Sequence, residues 1–364
     1  MSNPSDKTET RMNKQPEKRR ADLLNMSLEE IKSDLVSLGE EHYRGDQIYQ
    51  WVYRGVAFDE MTNLSKSLRQ KLAQNYIIGT LKQLKRLISA DEHTIKYLYL
   101  LSDNNIIECV VMKYRHGNTI CLSTQVGCAM GCSFCASATG GLIRQLNAGE
   151  MMAQVLESNR DLAKLGWNPV SNVVLMGSGE PLDNYENTMK FIHQIHHPKG
   201  YNMSYRNITL STCGLVPKMR ALADEGLNIN LAVSLHASND NVRKKIMKVA
   251  NVYSIEEIID ASRYFYAKTG RRITFEYVMI DGVNDRPELA AELSQLLYGF
   301  PNHVNLIPLN ENKQNKKKRS NNTAIREFMS VLRSYGINVT IRREMGSDIQ
   351  GACGQLKADF MEKL

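Results

Sequence analysis

Three cysteines crowd into one short stretch of this 364-residue chain: Gln125-Val126-Gly127-Cys128-Ala129-Met130-Gly131-Cys132-Ser133-Phe134-Cys135. The spacing is Cys-x3-Cys-x2-Cys. Clustered thiols in a reducing compartment point to a metal rather than to a disulfide framework. Three thiolates on one loop can hold three irons of a [4Fe–4S] cube, and the fourth iron is left without a protein ligand. An open metal position binds substrate, here the amino and carboxylate groups of S-adenosylmethionine. An electron from the cluster then splits the sulfonium and gives a 5′-deoxyadenosyl radical, strong enough to take hydrogen from an unactivated methyl group. The rival is a zinc site completed by a distant Cys or His. Zinc sites usually pair two Cys or His units, and no second pair accompanies this one. His193, His196 and His197 lie close together, but on an expected surface helix.

The elements around the cysteines set their frame. Apolar runs at 119–125, 172–177, 207–211, 229–235, 273–279 and 303–309 read as strands, with helix-length segments between them. One such segment begins near Tyr185 and puts Tyr185, Met189 and Ile192 on one face. Another puts Ile325, Phe328 and Leu332 on one face and stops at Gly336. Repeated strand–helix units predict an α/β fold with a parallel sheet covered by helices, and six units make a partial (β/α)6 barrel rather than a closed eight-stranded one. Active sites in such folds lie at the C-terminal strand ends. Ser211, Ser234, Leu235, His236 and Asn310 fall there, as does the turn Gly179-Glu180. Glycine there lets backbone approach a ligand, and Glu180 offers a carboxylate to an ammonium. Taken alone, each of these positions is an ordinary cap or turn.

Upstream of the barrel, residues 1–22 read as a disordered basic tail. From about 23 to 85 the chain reads as a small helical unit, with a Ser27/Glu30 capping box and Ile48, Trp51 and Val52 on one face. Segments near 95–100 and 106–112 read as strands that bridge it to the barrel. The expected division is thus a tail (1–22), an accessory helical, RNA-binding domain (23–95), a β-rich connector (96–117), the core (118–345) and a C-terminal segment (346–364). No run of about 18 apolar residues suggests a membrane span, and no secretory leader is evident, so a cytoplasmic protein is expected. The formal net charge of +7 suits a polyanionic partner without requiring one. Lys313, Lys316, Lys317, Lys318 and Arg319 form a basic loop just after Asn310. With Arg144, Arg206, Arg342 and Arg343 they are candidates for phosphate contacts.

The cysteine spacing, the aromatic residue before the third cysteine and the strand–helix repeats resemble the radical S-adenosylmethionine superfamily. More closely, the chain resembles the RlmN/Cfr family of RNA adenine methylases. The resemblance runs from about residue 24 to Leu356. It covers Thr124-Gln125-Val126-Gly127-Cys128, Gly177-Ser178-Gly179-Glu180-Pro181, Leu210-Ser211-Thr212, Ser234-Leu235-His236-Ala237, Gly282-Val283-Asn284-Asp285, Val304-Asn305-Leu306-Ile307-Pro308 and Ala352-Cys353-Gly354-Gln355-Leu356. The family usually has Met where Ser178 stands.

The resemblance implies roles for residues that look ordinary in isolation. Cys128, Cys132 and Cys135 would hold the [4Fe–4S] cluster. Gly179, Glu180, Ser211, Ser234, Leu235, His236 and Asn310 would bind S-adenosylmethionine. Cys353, by itself a small hydrophobe, would take a methyl group from one S-adenosylmethionine. A second molecule would then yield the radical that activates that methyl group for addition to the base. A thiolate carrier answers a chemical need, because C2 of adenine lies between ring nitrogens and is too electron-poor to attack a methyl donor. Cys121 would displace the Cys353 sulfur, forming a transient disulfide and releasing the product. Cys109 and Cys213 would be structural. Glu108, which by pattern alone is an exposed position on an alternating strand, falls where the family places its proton acceptor. The implied activity is methylation at C2 of an adenosine in the peptidyl-transferase centre of 23S rRNA and of the adenosine 3′ to the anticodon in tRNAs. An electron-donor protein and a monomeric state are expected. The alternatives are C8 methylation of the rRNA adenosine, against which Val126 argues because C8-type members tend to carry cysteine there, and a non-catalytic zinc-containing RNA-binding protein.

Overall fold

The structure is a computed structural model that describes residues 20–310 and 317–349. Ten strands form one sheet: Lys82–Ile88 (β1), Thr94–Leu100 (β2), Ile106–Tyr114 (β3), Gly117–Cys121 (β4), Val170–Leu175 (β5), Ile208–Thr212 (β6), Asn230–Ser234 (β7), Ile273–Met279 (β8), Asn302–Pro308 (β9) and Val339–Ile341 (β10). Neighbours in space are neighbours in sequence from β1 to β10. The first four strands are antiparallel. From β4 onward every pairing is parallel. Parallel neighbours in sequence order, joined by helical crossovers, are the arrangement that curls a sheet towards a barrel.

All six expected strands are present, and two features differ from the expectation. The first barrel strand ends at Cys121 rather than at 125. Gln125–Gly127 turns away to pair antiparallel with Leu142–Gln145, which makes a ribbon that brackets the cysteine loop. A seventh parallel strand, β10, adds at the far edge; its three residues are too few for periodicity to reveal. The helical reading of 23–85 also ends early. Leu28–Ser37 (α1), Arg44–Tyr53 (α2) and Lys66–Asn75 (α3) are helices, but Lys82–Ile88 is a strand. Its three charged residues equal its three apolar ones, and its partner β2 pulls it into the sheet.

Side-chain alternation divides the sheet into two faces. The outer face carries the apolar core with the helices Ala148–Lys164 (α4), Tyr185–His196 (α5), Val216–Asp224 (α6), Ile255–Thr269 (α7), Pro287–Leu296 (α8) and Asn322–Ser334 (α9). In α9 the expected stripe of Ile325, Phe328 and Leu332 is buried, each side chain contributing roughly 1.5–3 kcal/mol. The N-terminal unit docks on this layer. Ser27 and Glu30 form the expected capping box, Gln194 donates to the Met26 carbonyl, and Lys190 pairs with Glu30. No helix among the described residues is long and apolar enough to cross a membrane.

The inner face lines a cavity of about 690 Å³, reached by Tyr114 of β3 and by Met176, Thr209, Ala232, Glu276 and Asn305 from β5 to β9 or their ends. Residues in step with these point the same way. On that count Ser211 and Ser234 face inward, as do Glu108 and Val110 on the strand of Tyr114. Cys121 sits opposite Val110 in the register and shares its side of the sheet.

Candidate active site

The cysteine loop leaves the sheet right after Cys121 and is held at both flanks. Gly127 has φ +77°, and a Cβ there would overlap the Gly141 carbonyl, so only glycine fits. The Cys128 N–H donates to that same carbonyl at 2.9 Å. On the other side, Ser133 donates to the Ile246 carbonyl through its N–H at 2.9 Å and its hydroxyl at 3.2 Å. Met130, Cys132 and Phe134 pack on a small apolar cluster of Ile246, Met247, Val249, Val278 and Leu309. Burial pushes the Cys128 thiol up to about 11, the Met130 N–H opposing it, and burial together with the two other thiols raises Cys132 further.

This donor set fits a [4Fe–4S] cluster. The three thiols influence one another's protonation, so they share one space. A cube spreads three such thiolates over separate irons and leaves the fourth iron open.

Beside the loop, Gly177-Ser178-Gly179-Glu180 forms the expected turn. A Cβ on Gly177 would lie 2.6 Å from the Leu122 backbone, and one on Gly179, at φ +107°, would lie 2.5 Å from Gln125. The turn is stitched to the chain after β4. The Ser178 carbonyl accepts from Thr124 and Gln125 N–H, the Ser178 N–H donates to Ser123 Oγ, and the Ser178 hydroxyl donates to Ser137 in the cysteine loop. Glu180 is buried. Its carboxylate accepts from Leu182 N–H at 3.1 Å and Cys213 N–H at 2.7 Å. Burial raises its pKa, opposed by the Cys213 N–H.

The remaining expected ligands lie on the adjoining strand ends. Ser211 and Ser234 are half-buried on the inner face, and Asn310 is exposed after β9. Leu235 is fully buried. Its N–H donates to the Val233 and Glu276 carbonyls, and its carbonyl accepts from Arg243. His236 adopts φ +58°, a strained value for a non-glycine residue. Burial lowers its pKa to about 3, helped by Arg243, so it is neutral. Its Nδ1 accepts from Val278 N–H at 3.0 Å, so the proton sits on Nε2. Phe134 meets the ring edge-on at 4.9 Å, which ties the cysteine loop to this strand end.

Glu108 departs from the simple strand pattern. It is buried, not exposed, and Lys96 Nζ lies 3.5 Å from its Oε2. Its carbonyl accepts from Ser123 Oγ at 2.8 Å. Cys121 is buried. Cys353 and the basic positions Lys313 and Lys316 lie outside the described residues. Arg144 pairs with Asp103 and, through two bonds, with Glu150, and Arg319 pairs with Glu344. Cys109 packs against Ser158 on the outer face. Cys213 borders the Glu180 carboxylate rather than a neutral core.

Several residues that organise the site went unremarked in the sequence. Arg243 is fully buried and donates to the carbonyls of Cys213, Ser234, Leu235 and Tyr253, joining the ends of β6 and β7. Gln125 accepts from Glu180 N–H and donates to Gln145 and Asp183. Gln125 stands in the motif before Cys128 and was findable. Arg243 follows no motif.

Known proteins match this arrangement. The radical SAM superfamily profile covers residues 122–293, and the ribosomal RNA large subunit methyltransferase N-terminal domain covers residues 21–78. A probable dual-specificity RNA methyltransferase RlmN of Lachnoclostridium phytofermentans is 52% identical over 94% of this chain and 96% of its own length. One from Alkaliphilus oremlandii is 54% identical over 94% and 98%. The crystal structure of a radical SAM methyltransferase from Sphaerobacter thermophilus superposes with a TM-score of 0.88 at 44% identity, over 92% of this chain and 98% of that one. With the N-terminal and radical SAM domains in the same order and half of all positions identical over nearly the full length, the chain belongs to the RlmN family of radical SAM RNA methyltransferases.

Proposed function

We propose that the protein methylates C2 of an adenosine in the peptidyl-transferase centre of 23S rRNA and of the adenosine 3′ to the anticodon in tRNAs, through a methyl group carried on Cys353. Membership of the radical SAM superfamily implies a [4Fe–4S] cluster and S-adenosylmethionine. When bound, these supply a radical able to take hydrogen from a methyl group. Cys128, Cys132 and Cys135 hold the cluster. Glu180, Gly179, Ser211, Ser234, Leu235, His236 and Asn310 surround the place left for S-adenosylmethionine, Leu235 through its fixed backbone and His236 through Nε2–H. Two molecules are used per turnover: one to load Cys353 and one for the radical. Glu108 accepts the proton lost from C2, and Cys121 displaces the Cys353 sulfur. The protein works in the cytoplasm as a monomer, with an electron-donor protein.

One observation carries this reading. Cys121 and Glu108 face the same inner wall, one paired position apart through Val110, and the cysteine loop begins seven residues after Cys121 in the chain. This supports reading Glu108 and Cys121 as partners on one wall, on the segment that leads into the cysteine loop.

The test is a comparison of Cys121→Ala with Cys353→Ala, each purified from cells and weighed intact. Cys121→Ala should load a methyl group on Cys353 and accumulate a protein–RNA adduct, because nothing displaces the Cys353 sulfur. Cys353→Ala should form no adduct. Free methylated RNA from Cys121→Ala at the wild-type rate would refute the division of labour. Nucleoside mass spectrometry of the product separates C2 from C8 methylation.

A further inference from the structure

The carboxylate assigned to take the proton has a buried partner. Lys96 on β2 is completely buried, its Nζ 3.5 Å from Glu108 Oε2. The hairpin register places them on a diagonal: Leu98 lies opposite Glu108, and Lys96 opposite Val110. Around them the inner face is apolar, with Leu84, Leu87, Leu98, Leu100 and Ile106 packed together. A hydrophobic pair of similar volume would hold this hairpin as well or better, so the ion pair calls for a chemical reason.

We propose that Lys96 is the positioning residue of the proton-accepting carboxylate: it aims Glu108 and balances its negative charge inside the apolar wall. The inference rests on the reading of Glu108 as proton acceptor. Among the described residues, the titratable groups on this face of the neighbouring strands are Lys96 from β2, the Cys121 thiol from β4 and, on β1, the exposed Lys82 and Lys85, which pair with Leu100 and Leu98 beside Leu84 and Leu87. In the step itself the C2–H bond breaks, the proton forms an O–H bond on Glu108, and the electron pair stays on the base. The pair's charge then rises from zero to +1. Lys96 sets a positive charge 3.5 Å from the carboxylate, inside the apolar wall, and fixes its direction.

The experiment uses full-length, cluster-reconstituted protein with tRNA and labelled S-adenosylmethionine. It compares Lys96→Met, Lys96→Arg, Glu108→Gln and the double variant Lys96→Met/Glu108→Gln, reading methyl on protein, adduct and free methylated RNA across pH. Lys96→Met should load Cys353 normally, release product at least about tenfold more slowly near neutral pH, and recover as pH rises. Lys96→Arg should keep the wild-type profile. Lys96→Met with wild-type release at every pH, beside a Glu108→Gln that accumulates adduct, overturns the proposal and leaves the Glu108 reading intact. Normal release from Glu108→Gln overturns that reading instead, and the proposal with it. Should Lys96→Met fail to load, its melting temperature decides. A fall with rising pH that the double variant abolishes supports the pair, because an unpaired buried carboxyl stabilises only while protonated. A pH-independent fall overturns it.

Discussion

Glu180 has backbone donors on both carboxylate oxygens, Leu182 N–H on one and Cys213 N–H on the other. The Thr212 and Cys213 side chains also bond to it, and its negative charge is what an ammonium would meet. Glu180→Gln keeps the shape and removes the charge, so affinity for S-adenosylmethionine should drop about tenfold or more, with the fold retained; equilibrium binding measures it, and unchanged affinity would remove Glu180 from the site. Burial raises the Glu180 pKa above its ordinary 4.5. Binding in the wild type should therefore weaken, as pH falls, earlier than an exposed glutamate would allow, and in Glu180→Gln this acid limb should vanish. The cysteines carry a second residue-scale expectation. Burial holds Cys128 at about 11 and raises Cys132, so in the metal-free protein these thiols are protonated and must lose protons to bind iron. Anaerobic cluster assembly should slow as pH falls, and alanine at Cys128, Cys132 or Cys135 should abolish it. Iron and sulfide at wild-type levels in all three variants would refute the cluster assignment.

At the scale of elements, the site depends on short, irregular connections rather than on the strands themselves. Gly127→Ala forces a left-handed φ on alanine and pushes its Cβ into the Gly141 carbonyl. It should cost more than about 2 kcal/mol and lower cluster occupancy, as thermal melts and iron analysis would report. Arg243→Met strips hydrogen bonds from three carbonyls at the ends of β6 and β7 and from that of Tyr253, and should destabilise by on the order of 3 kcal/mol. The six barrel strands and the α9 stripe were legible in the sequence because each is an apolar run or a 3.6-residue repeat repeated along the chain. The cysteine spacing was legible because three thiols in eight positions have few uses. The end of β4 was not, because Gln125-Val126-Gly127 continues the apolar pattern while its hydrogen bonds go to another partner. Arg243 was hidden because its function lies in carbonyls brought together only by the fold. Lys96 is an intermediate case. A lone lysine in Ile95-Lys96-Tyr97-Leu98 and a lone glutamate in Ile106-Ile107-Glu108-Cys109 stand in neighbouring apolar strands. The register set by the turn at 101–105 was the missing piece, and once Leu100 is opposite Ile106 the diagonal pair follows.

At the scale of the whole molecule, the sheet is open between β10 and the antiparallel strands, and the chain after β10 runs across that gap. Arg342 N–H still bonds to β9 through the Leu306 carbonyl. By residue 348 the chain has reached the other edge, where Asp348 accepts from Ala90 N–H at 2.7 Å. Gly346, at φ +64°, passes so close to Thr94 that a Cβ would lie 2.9 Å from its methyl group. This seam fixes where the segment leading to Cys353 starts. Thr94, Met112 and Thr119 form one row across β2, β3 and β4, and Cys121 is the next inward position beyond Thr119. Two strand spacings of about 4.8 Å and a two-residue step of about 6.6 Å put Cys121 about 12 Å from Thr94. Three residues lie between Ile349 and Cys353 in sequence, and those four extended steps span at most about 14 Å. The anchored end of the segment is therefore within reach of Cys121, and loosening it should cost encounter between the two thiols. Gly346→Ala strains the left-handed turn and pushes the segment off Thr94. The variant should form the Cys121–Cys353 disulfide several-fold more slowly under mild oxidation, read as loss of two thiols by alkylation and intact mass, and release methylated RNA correspondingly more slowly. Cluster content and S-adenosylmethionine affinity should stay at wild-type values, since neither site touches this edge. A wild-type rate of disulfide formation in Gly346→Ala would show that the seam does not guide Cys353.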